Sequence, residues 1–331
     1  MQRDLYIDAV KGFATLSIIF IHTVFWSGQY YVPTEVRNLS LLFDVPMFFF
    51  LSGLTSSGKV EKNIHRLLKL QISYMFFVST LFILYCYFNH NLTCDKLFDW
   101  YLHVYSESKP MDIVMGSMWF MKIYLIVAFI GVIVLKYLTD RQIRILSALL
   151  LAGILSFSFY YYPSGNTGYV FVYLLIFLTA KQCRNVYVKV PYIFLGFFVL
   201  LTAYYLLYLY FGERTTILVR RQKFPPNIIY LVYSCFSLFL ILIFKGRLMV
   251  KKSNFLTYIG QNAIFYYFAQ GLSSSAIYHW VEKFHEQIEW YFLMPVMFIV
   301  NIVLAVIIAE IIKKIDAGGW WILHRIRGLI A

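Results

Sequence analysis

The first apolar segment of the chain carries ionisable side chains that could do chemistry. Asp8, Lys11 and His22 lie within residues 8–22, which read DAVKGFATLSIIFIH. At about 100° per residue, these three side chains and Thr15 share one face of a helix. An ionisable side chain costs about 3 kcal/mol at the centre of a bilayer, so such residues generally face protein or water and mark functional sites.

Lys11 and His22 are 11 residues apart, which corresponds to about 16 Å along a helix axis. One end of the helix could then hold an anion while the imidazole at the other end exchanges a proton. A simpler interpretation is an interfacial histidine at a helix end, with a lysine that extends its ammonium to the headgroup layer. The spacing alone leaves both interpretations open.

A carboxylate lies in the next apolar segment, FDVPMFFFLSG at residues 43–53. Asp44 is near the outer end of this segment, at about the depth of His22 if the two helices are antiparallel neighbours. A carboxylate beside an imidazole fixes its tautomer, as a general base requires. We therefore expect His22 and Asp44 to act together as catalytic residues. Pro46 inside the span would free a backbone carbonyl that only protein or water could satisfy.

Membrane helices must position these residues. The chain has 331 residues, of which 61% are hydrophobic and 14% charged, with a mean hydropathy of +0.69, whereas a soluble domain carries roughly 25% charged residues. Apolar runs long enough to cross about 30 Å of hydrocarbon recur along the chain. We predict an all-α polytopic integral membrane protein with about ten transmembrane helices, at residues 10–26, 39–55, 70–88, 116–136, 144–162, 168–182, 192–211, 228–244, 255–272 and 291–312.

Basic residues are distributed unevenly among the loops between these spans. The termini and the loops on their side hold 20 lysines and arginines, and the opposite loops hold 8. The positive-inside rule therefore places both termini in the cytoplasm. The net charge of +13 then reflects topology and anionic lipids, and no nucleic-acid-binding module interrupts the spans.

Residues 1–331 are interpreted as a single membrane domain, since no repeat, low-complexity tract or soluble appendage interrupts them. The four cysteines have no metal-ligand spacing, so no metal site is expected.

Five segments, in order, resemble segments of the membrane acyltransferase-3 family. They are RDLYIDAVKGFATLSIIFIH, VPMFFFLSG, EKNIHRLLKLQISY, MWFMKIY and YIGQNAIFYYFAQ, and they span most of the chain. The subgroup that the chain resembles most is that of the fucose O-acetylase-like enzymes and O-antigen O-acetyltransferases. The chain departs from the family pattern at Lys11, where arginine is common, at Asp44, where the subgroup often has histidine, and at Gln270, where histidine is frequent.

The resemblance implies transfer of an acyl group, most often acetyl, from cytoplasmic acyl-CoA to a hydroxyl of a cell-surface glycan or a lipid-linked sugar. His22 would deprotonate that hydroxyl or carry the acyl group itself. The phosphates of CoA need cations at the cytoplasmic mouth, and Lys11, Arg66 and Lys69 are placed to supply them. Acetyl-CoA is thus expected as a donor substrate, and no resident cofactor is expected.

The outward segment GERTTILVRRQKFPPN, residues 212–227, is basic although the positive-inside rule does not favour that. We expect Arg220 and Arg221 to bind an anionic acceptor, such as a pyrophosphate-linked oligosaccharide, or anionic lipid headgroups. A solvated loop is the simpler alternative. Trp119 is a candidate for stacking on the acceptor sugar, and packing between helices is its simpler role.

Two other functions fit the same features. A transporter or flippase of lipid-linked sugars would also need a polar stripe and an outer basic segment, and a non-catalytic partner in polysaccharide synthesis is a third possibility. His22 with a basic residue 11 positions earlier favours the enzyme, and no inverted repeat typical of a transporter is visible. The expected location is the bacterial cytoplasmic membrane. The sequence leaves the sugar and the oligomeric state open.

Overall fold

The computed structural model describes residues 4–29, 31–56, 59–89, 94–103, 112–160 and 166–330. Within these ranges the chain is helical and forms no β-strand, which confirms the all-α class. The helices are α1 (Leu5–His22), α2 (Thr34–Ser40), α3 (Pro46–Thr55), α4 (Val60–Asn89), α5 (Cys94–Tyr101), α6 (Asp112–Ser117), α7 (Trp119–Tyr137), α8 (Asp140–Phe159), α9 (Thr167–Gln182), α10 (Val190–Phe211), α11 (Glu213–Ile217), α12 (Ile228–Phe244), α13 (Phe255–Gln261), α14 (Ala263–Phe284) and α15 (Trp290–Ile330).

Seven helical segments of the described chain are long and apolar enough to cross a bilayer. They are Leu5–Ser27, Thr34–Thr55, Val60–Tyr87, Val114–Tyr137, Asp140–Phe159, Val190–Phe211 and Trp290–Ile326. The chain is therefore a polytopic membrane protein. The other predicted spans fall on α9 and α12, which have 16 and 17 residues, and on the divided pair α13 and α14. The count of ten stays a prediction.

The second predicted span is divided where its polar residue lies. Helix α2 ends in a 3-10 turn, Leu41–Phe43, and Asp44 then adopts an extended backbone before α3 begins at Pro46. Pro46 lies inside the segment Thr34–Thr55, as expected, but it occupies the first turn of α3 and not the interior of a helix. Proline is favoured in the first turn of a helix because the N–H that it lacks has no partner there. Because of this break, the Asp44 side chain can contact residues from other segments of the chain.

Helix α4 begins well before the apolar run that predicted it. The segment expected as a cytoplasmic loop is helical from Val60 onward, so Arg66 and Lys69 lie on the first turns of α4. Residues three positions apart lie on the same side of a helix, yet Arg66 contacts Tyr124 and Lys69 contacts Trp320.

Two glycines bring α1 and α13 into backbone contact. A Cβ atom on Gly12 would lie 1.9 Å from the Leu256 carbonyl oxygen, and one on Gly260 would lie 1.8 Å from the Asp8 carbonyl oxygen. Small residues at such crossings let membrane helices pack closely. The crossing also places Gln261 Nε2 at 3.3 Å from Asp8 Oδ2, so Asp8 helps to join α1 to α13.

Helix α3 is buried against α9, and α10 lies at the periphery. The Phe49 ring of α3 stacks on Tyr173 of α9 with centroids 4.3 Å apart. In contrast, α10 exposes large apolar side chains such as Phe194 and Phe198 along its length. Such a surface is unsuited to water and is expected where a helix faces lipid.

Candidate active site

His22 is the last residue of α1, and the chain continues as a π-helical turn, Thr23–Ser27. Turns of this kind are rare and are frequently found at functional sites. Asn301 of α15 donates hydrogen bonds to Thr23 Oγ1 at 2.9 Å and to Ser274 Oγ at 3.2 Å. These buried bonds join the turn to α14 and α15, and they hold the backbone next to His22 in place.

A cavity of about 260 Å³ lies beside His22. Its wall combines aromatic rings with basic side chains, and the lining includes His22, Phe25, Trp26, Trp119, Arg220, Lys223 and Phe224. Ligand sites in proteins have volumes of roughly 300–1,000 Å³ and mostly apolar walls with a few placed polar groups. This cavity is close to the lower end of that range and has the same kind of wall.

The His22 ring is positioned by packing. Its Nδ1 atom is buried and has no hydrogen-bond partner among the described residues, and the Trp26 ring lies 6.3 Å away between centroids. The His22 side chain lines the cavity, and an imidazole is the side chain best suited to proton transfer near neutral pH.

Asp44 is bound to Lys223. Lys223 Nζ lies 2.7 Å from Asp44 Oδ2, and the Tyr230 hydroxyl donates to the same oxygen at 2.7 Å. The Lys223 and Asp44 side chains are 7% and 1% exposed, so this is a buried ion pair, in which loss of one partner leaves an uncompensated charge. The expected pairing of Asp44 with the His22 imidazole was wrong, because Asp44 Oδ1 and His22 Nδ1 are both buried without a hydrogen-bond partner among the described residues and Asp44 Oδ2 binds Lys223 and Tyr230. Its charge reaches the cavity through Lys223, and a catalytic role for Asp44 stays a prediction.

Lys223 is the cation in the cavity wall that the sequence did not predict as a site residue. Its ammonium lies 5.6 Å from the centroid of the Trp119 ring and 5.1 Å from that of Phe224, which adds cation–π attraction to the ion pair. The available signal was the basic outer segment itself. Composition shows that several cations lie there, and it does not show which of them is turned into the protein.

The three residues predicted to bind the acceptor differ in position. Arg220 and Trp119 both line the cavity with His22. Arg221 is exposed and is not among the residues that line the cavity. Phe224 packs edge-on against Trp119 at 5.4 Å, so the outer segment and the start of α7 form one continuous wall.

The residues predicted to bind CoA are divided between two places. Arg66 Nη2 donates to the Tyr124 hydroxyl at 3.3 Å, and that hydroxyl lies 2.7 Å from Ser52 Oγ. These three residues line a small crevice of about 20 Å³. The charge of Lys11 also acts on Tyr124, so the charges of Lys11 and Arg66 both influence this hydroxyl.

Lys69 is directed to a different helix. Its ammonium lies 5.6 Å from the centroid of the Trp320 ring on α15. The structure therefore brings Lys11 and Arg66 to a common neighbour and leaves Lys69 in a separate contact. None of these placements tests whether the three side chains bind CoA.

A family model described as an acyltransferase domain, that of the acyltransferase-3 family, matches residues 4–311 of the chain. The chain belongs to this family. The matched range contains every candidate site residue, from Lys11 on α1 to Lys223 in the outer segment. Membership in the acyltransferase-3 family makes the protein a multi-pass membrane acyltransferase. No curated protein and no solved structure matches the chain.

Proposed function

We propose that the protein is a membrane O-acyltransferase that moves an acetyl group from cytoplasmic acetyl-CoA to a hydroxyl of a cell-surface glycan or a lipid-linked oligosaccharide. The observation that supports this most directly is the cavity in which His22, Lys223 and aromatic rings meet. An unpaired imidazole beside a cation and apolar walls suits deprotonation of a sugar hydroxyl and stabilisation of the charge that follows.

The donor would enter from the side where α1 and α4 begin. Lys11 and Arg66 would bind the phosphates of CoA there, because guanidinium and ammonium groups bind phosphate oxygens. Lys69, which lies beside Trp320 of α15, would also bind the CoA phosphates. The extended pantetheine arm would carry the thioester toward His22, about 16 Å along the helix axis from Lys11.

The acceptor would occupy the aromatic cavity. Trp119, together with Phe25 and Phe224, offers ring faces on which the apolar faces of a sugar can pack, and Arg220 offers donors to its oxygen atoms. Arg221 would contact the part of the acceptor that extends beyond the cavity. This division follows the cavity lining, which includes Arg220 and not Arg221.

His22 would take the proton from the acceptor hydroxyl as its oxygen attacks the thioester carbonyl carbon. The new C–O bond forms as the carbonyl electrons move to oxygen, and the Lys223 ammonium stabilises this oxyanion. Collapse of the intermediate then breaks the C–S bond, and the thiolate of CoA takes the proton from His22. Asp44 would act through Lys223, whose ammonium it holds at 2.7 Å.

We place the protein in the bacterial cytoplasmic membrane with both termini in the cytoplasm, which follows from the distribution of basic residues. Its partners in this proposal are acetyl-CoA, a glycan or lipid-linked sugar, and membrane lipids.

The experiment that tests the function uses purified protein in nanodiscs with radiolabelled acetyl-CoA. We expect CoA release that depends on added glycan, with label recovered in the glycan. Hydroxylamine-labile label on the protein would instead assign an acyl-histidine intermediate. A preparation that neither binds acetyl-CoA nor releases CoA would refute the proposal and favour a transporter.

A further inference from the structure

Two arginines face one aromatic ring on the side of the cavity that is predicted to be outward. Arg37 lies on α2, and Arg220 lies in the single helical turn Val219–Gln222. Their guanidinium carbons lie 5.9 Å and 5.4 Å from the centroid of the Phe25 ring. Two segments far apart in sequence thus bring two positive charges to one side chain of the cavity wall.

The two guanidinium groups have no ion-pair partner within the described chain. Neither Arg37 nor Arg220 forms an ion pair with a described residue. Arg37 Nη2 donates to Thr34 Oγ1 at 3.2 Å, and its buried Nε has no acceptor among the described residues. Like charges close together repel each other, and a buried donor without an acceptor is destabilising.

The neighbouring carboxylates do not neutralise this pair of charges. The charge of Asp44 is paired with Lys223, which together with the Tyr230 hydroxyl binds Oδ2 at 2.7 Å, while Oδ1 is buried without a partner among the described residues. Glu35 is exposed on α2, and its charge acts on Arg37, but it forms no ion pair with a described residue. The excess of positive charge and of free N–H donors calls for a ligand that is an anion and that accepts several hydrogen bonds.

We propose that Arg37 and Arg220 form an anion-binding site at the mouth of the His22 cavity and that its ligand is a phosphoryl group. Guanidinium groups bind phosphate oxygens in a bidentate geometry, and a phosphate monoester carries a charge of about −1.5 to −2 near neutral pH, which two arginines match. Arg220 also lines the His22 cavity. A phosphoryl group bound here would hold the sugar attached to it inside the cavity.

The assignment of this phosphoryl group to the acceptor rests on the proposed acyltransferase function. The anion site itself does not, because it follows from the two arginines and their lack of ion-pair partners among the described residues. Binding can therefore be measured separately from transfer.

The test is binding of glucose 1-phosphate to the purified full-length protein in phosphatidylcholine nanodiscs, measured by isothermal titration calorimetry. Glucose serves as the uncharged match. We expect glucose 1-phosphate to bind at least about tenfold more tightly than glucose, and Arg37→Ala and Arg220→Ala each to remove about that factor, which is the effect of one lost charge-assisted hydrogen bond.

Lys283→Ala is the matched control. Lys283 is an exposed cation on the same predicted side of the membrane, and its ammonium contacts the Phe284 ring at 5.7 Å, as the arginines contact Phe25. The control should bind glucose 1-phosphate like the wild type. Arg37→Gln, which keeps a long side chain and removes the charge, should show the same loss as Arg37→Ala and replaces it if that variant does not fold.

Failure of the wild type to prefer glucose 1-phosphate over glucose would overturn the site. An equal loss in Lys283→Ala would overturn it as well, since general surface charge would then explain the binding. Nanodiscs that contain phosphatidylglycerol distinguish the two sources of phosphoryl groups. Retained binding supports the acceptor as the source, whereas displacement by this lipid supports a lipid headgroup.

Acetyl transfer measured on the same preparations separates this proposal from the proposed function. Glucose 1-phosphate binding without acetyl transfer would refute the acyltransferase function and leave the anion site intact. Acetyl transfer without such binding would overturn the anion site alone.

Discussion

At the scale of single residues, the central feature is the ion pair between Asp44 and Lys223. The pair joins a break in the second span to the outer basic segment, and it places an ammonium in the cavity wall beside His22. Because both groups are buried, the cost of removing them from water offsets much of their attraction. The main effect of the pair is therefore to hold the Lys223 ammonium in place. The contribution of the ion pair to catalysis and its contribution to protein stability can be measured separately.

The first measurement concerns catalysis. We expect Lys223→Met to lower kcat by about 100-fold, because removal of one group that stabilises an oxyanion costs about that much. The KM for acetyl-CoA should stay close to that of the wild type, since Lys223 lies at the cavity that we propose for the acceptor. A Lys223→Met variant with unchanged kcat would remove Lys223 from the mechanism.

The second measurement concerns stability. Asp44→Asn should lower the free energy of unfolding by about 3 kcal/mol, because it leaves the Lys223 ammonium buried without its counter-charge. The double variant Asp44→Asn with Lys223→Met should regain part of this loss. Melting temperatures in one detergent test both statements, and a double variant less stable than Asp44→Asn would contradict the explanation.

Arg220 and Arg221 are adjacent cations in different environments. Both are exposed, but Arg220 lines the cavity and Arg221 does not. We expect Arg220→Ala to raise the acceptor KM by about tenfold, as the loss of one charge-assisted hydrogen bond would, and Arg221→Ala to raise it less. Steady-state kinetics with varied glycan tests the order, and equal or reversed effects would argue against this account of the cavity.

At the scale of helices, the crossing of α1 and α13 sets the position of the first helix. The contact is made by backbone at Gly12 and Gly260, where no Cβ fits. Helices that cross this closely are fixed relative to each other. The far end of α1 carries His22, so the crossing positions the candidate catalytic residue from a distance.

We expect Gly260→Ala to separate α1 from α13, since its Cβ would lie 1.8 Å from the Asp8 carbonyl oxygen. The variant should show a lower melting temperature and reduced acetyl transfer. Gly318→Ala is the matched control, because a Cβ there has nothing within 4 Å, and it should be as stable as the wild type or more stable by up to about 1 kcal/mol. Equal behaviour of the two variants would contradict the role of the crossing.

The helices were predictable from the length of the apolar runs, but the positions of the helix breaks were not. The division at Asp44 depends on a carboxylate that binds Lys223 far along the chain, and no local pattern encodes that partner. For the same reason His22 was found from its position on a polar stripe, while Lys223 was not. An ionisable residue in an apolar helix is conspicuous, whereas one cation among several in a basic segment is not.

At the scale of the whole molecule, the chain is a helical membrane protein with a cavity near one end of its first helix. In the part of the chain that the structure describes, seven segments meet the length and hydropathy needed for a span, and the remaining helices of the predicted ten are shorter or divided. The sequence could predict the class because bilayer thickness sets the length of apolar runs. It could not settle the count, since α9, α12 and the pair α13 and α14 are held by packing within the bundle.

Orientation in the membrane is the prediction that belongs to this scale. Cysteine at exposed position 221 should react with a membrane-impermeant maleimide in intact cells, whereas cysteine at exposed position 252 should react only after lysis. The background is a variant in which the four native cysteines are serine. Labelling with the opposite sidedness would contradict the topology that the positive-inside rule gives.

The measurement that tests the central claim most directly is acetyl transfer by His22→Ala, set beside wild type and His279→Ala. His279 is 78% exposed and lies outside the cavity, so its replacement controls for loss of a histidine. With equal amounts of each protein in nanodiscs and labelled acetyl-CoA, we predict label transfer to glycan by wild type and His279→Ala and none by His22→Ala. Wild-type turnover by His22→Ala would contradict the account.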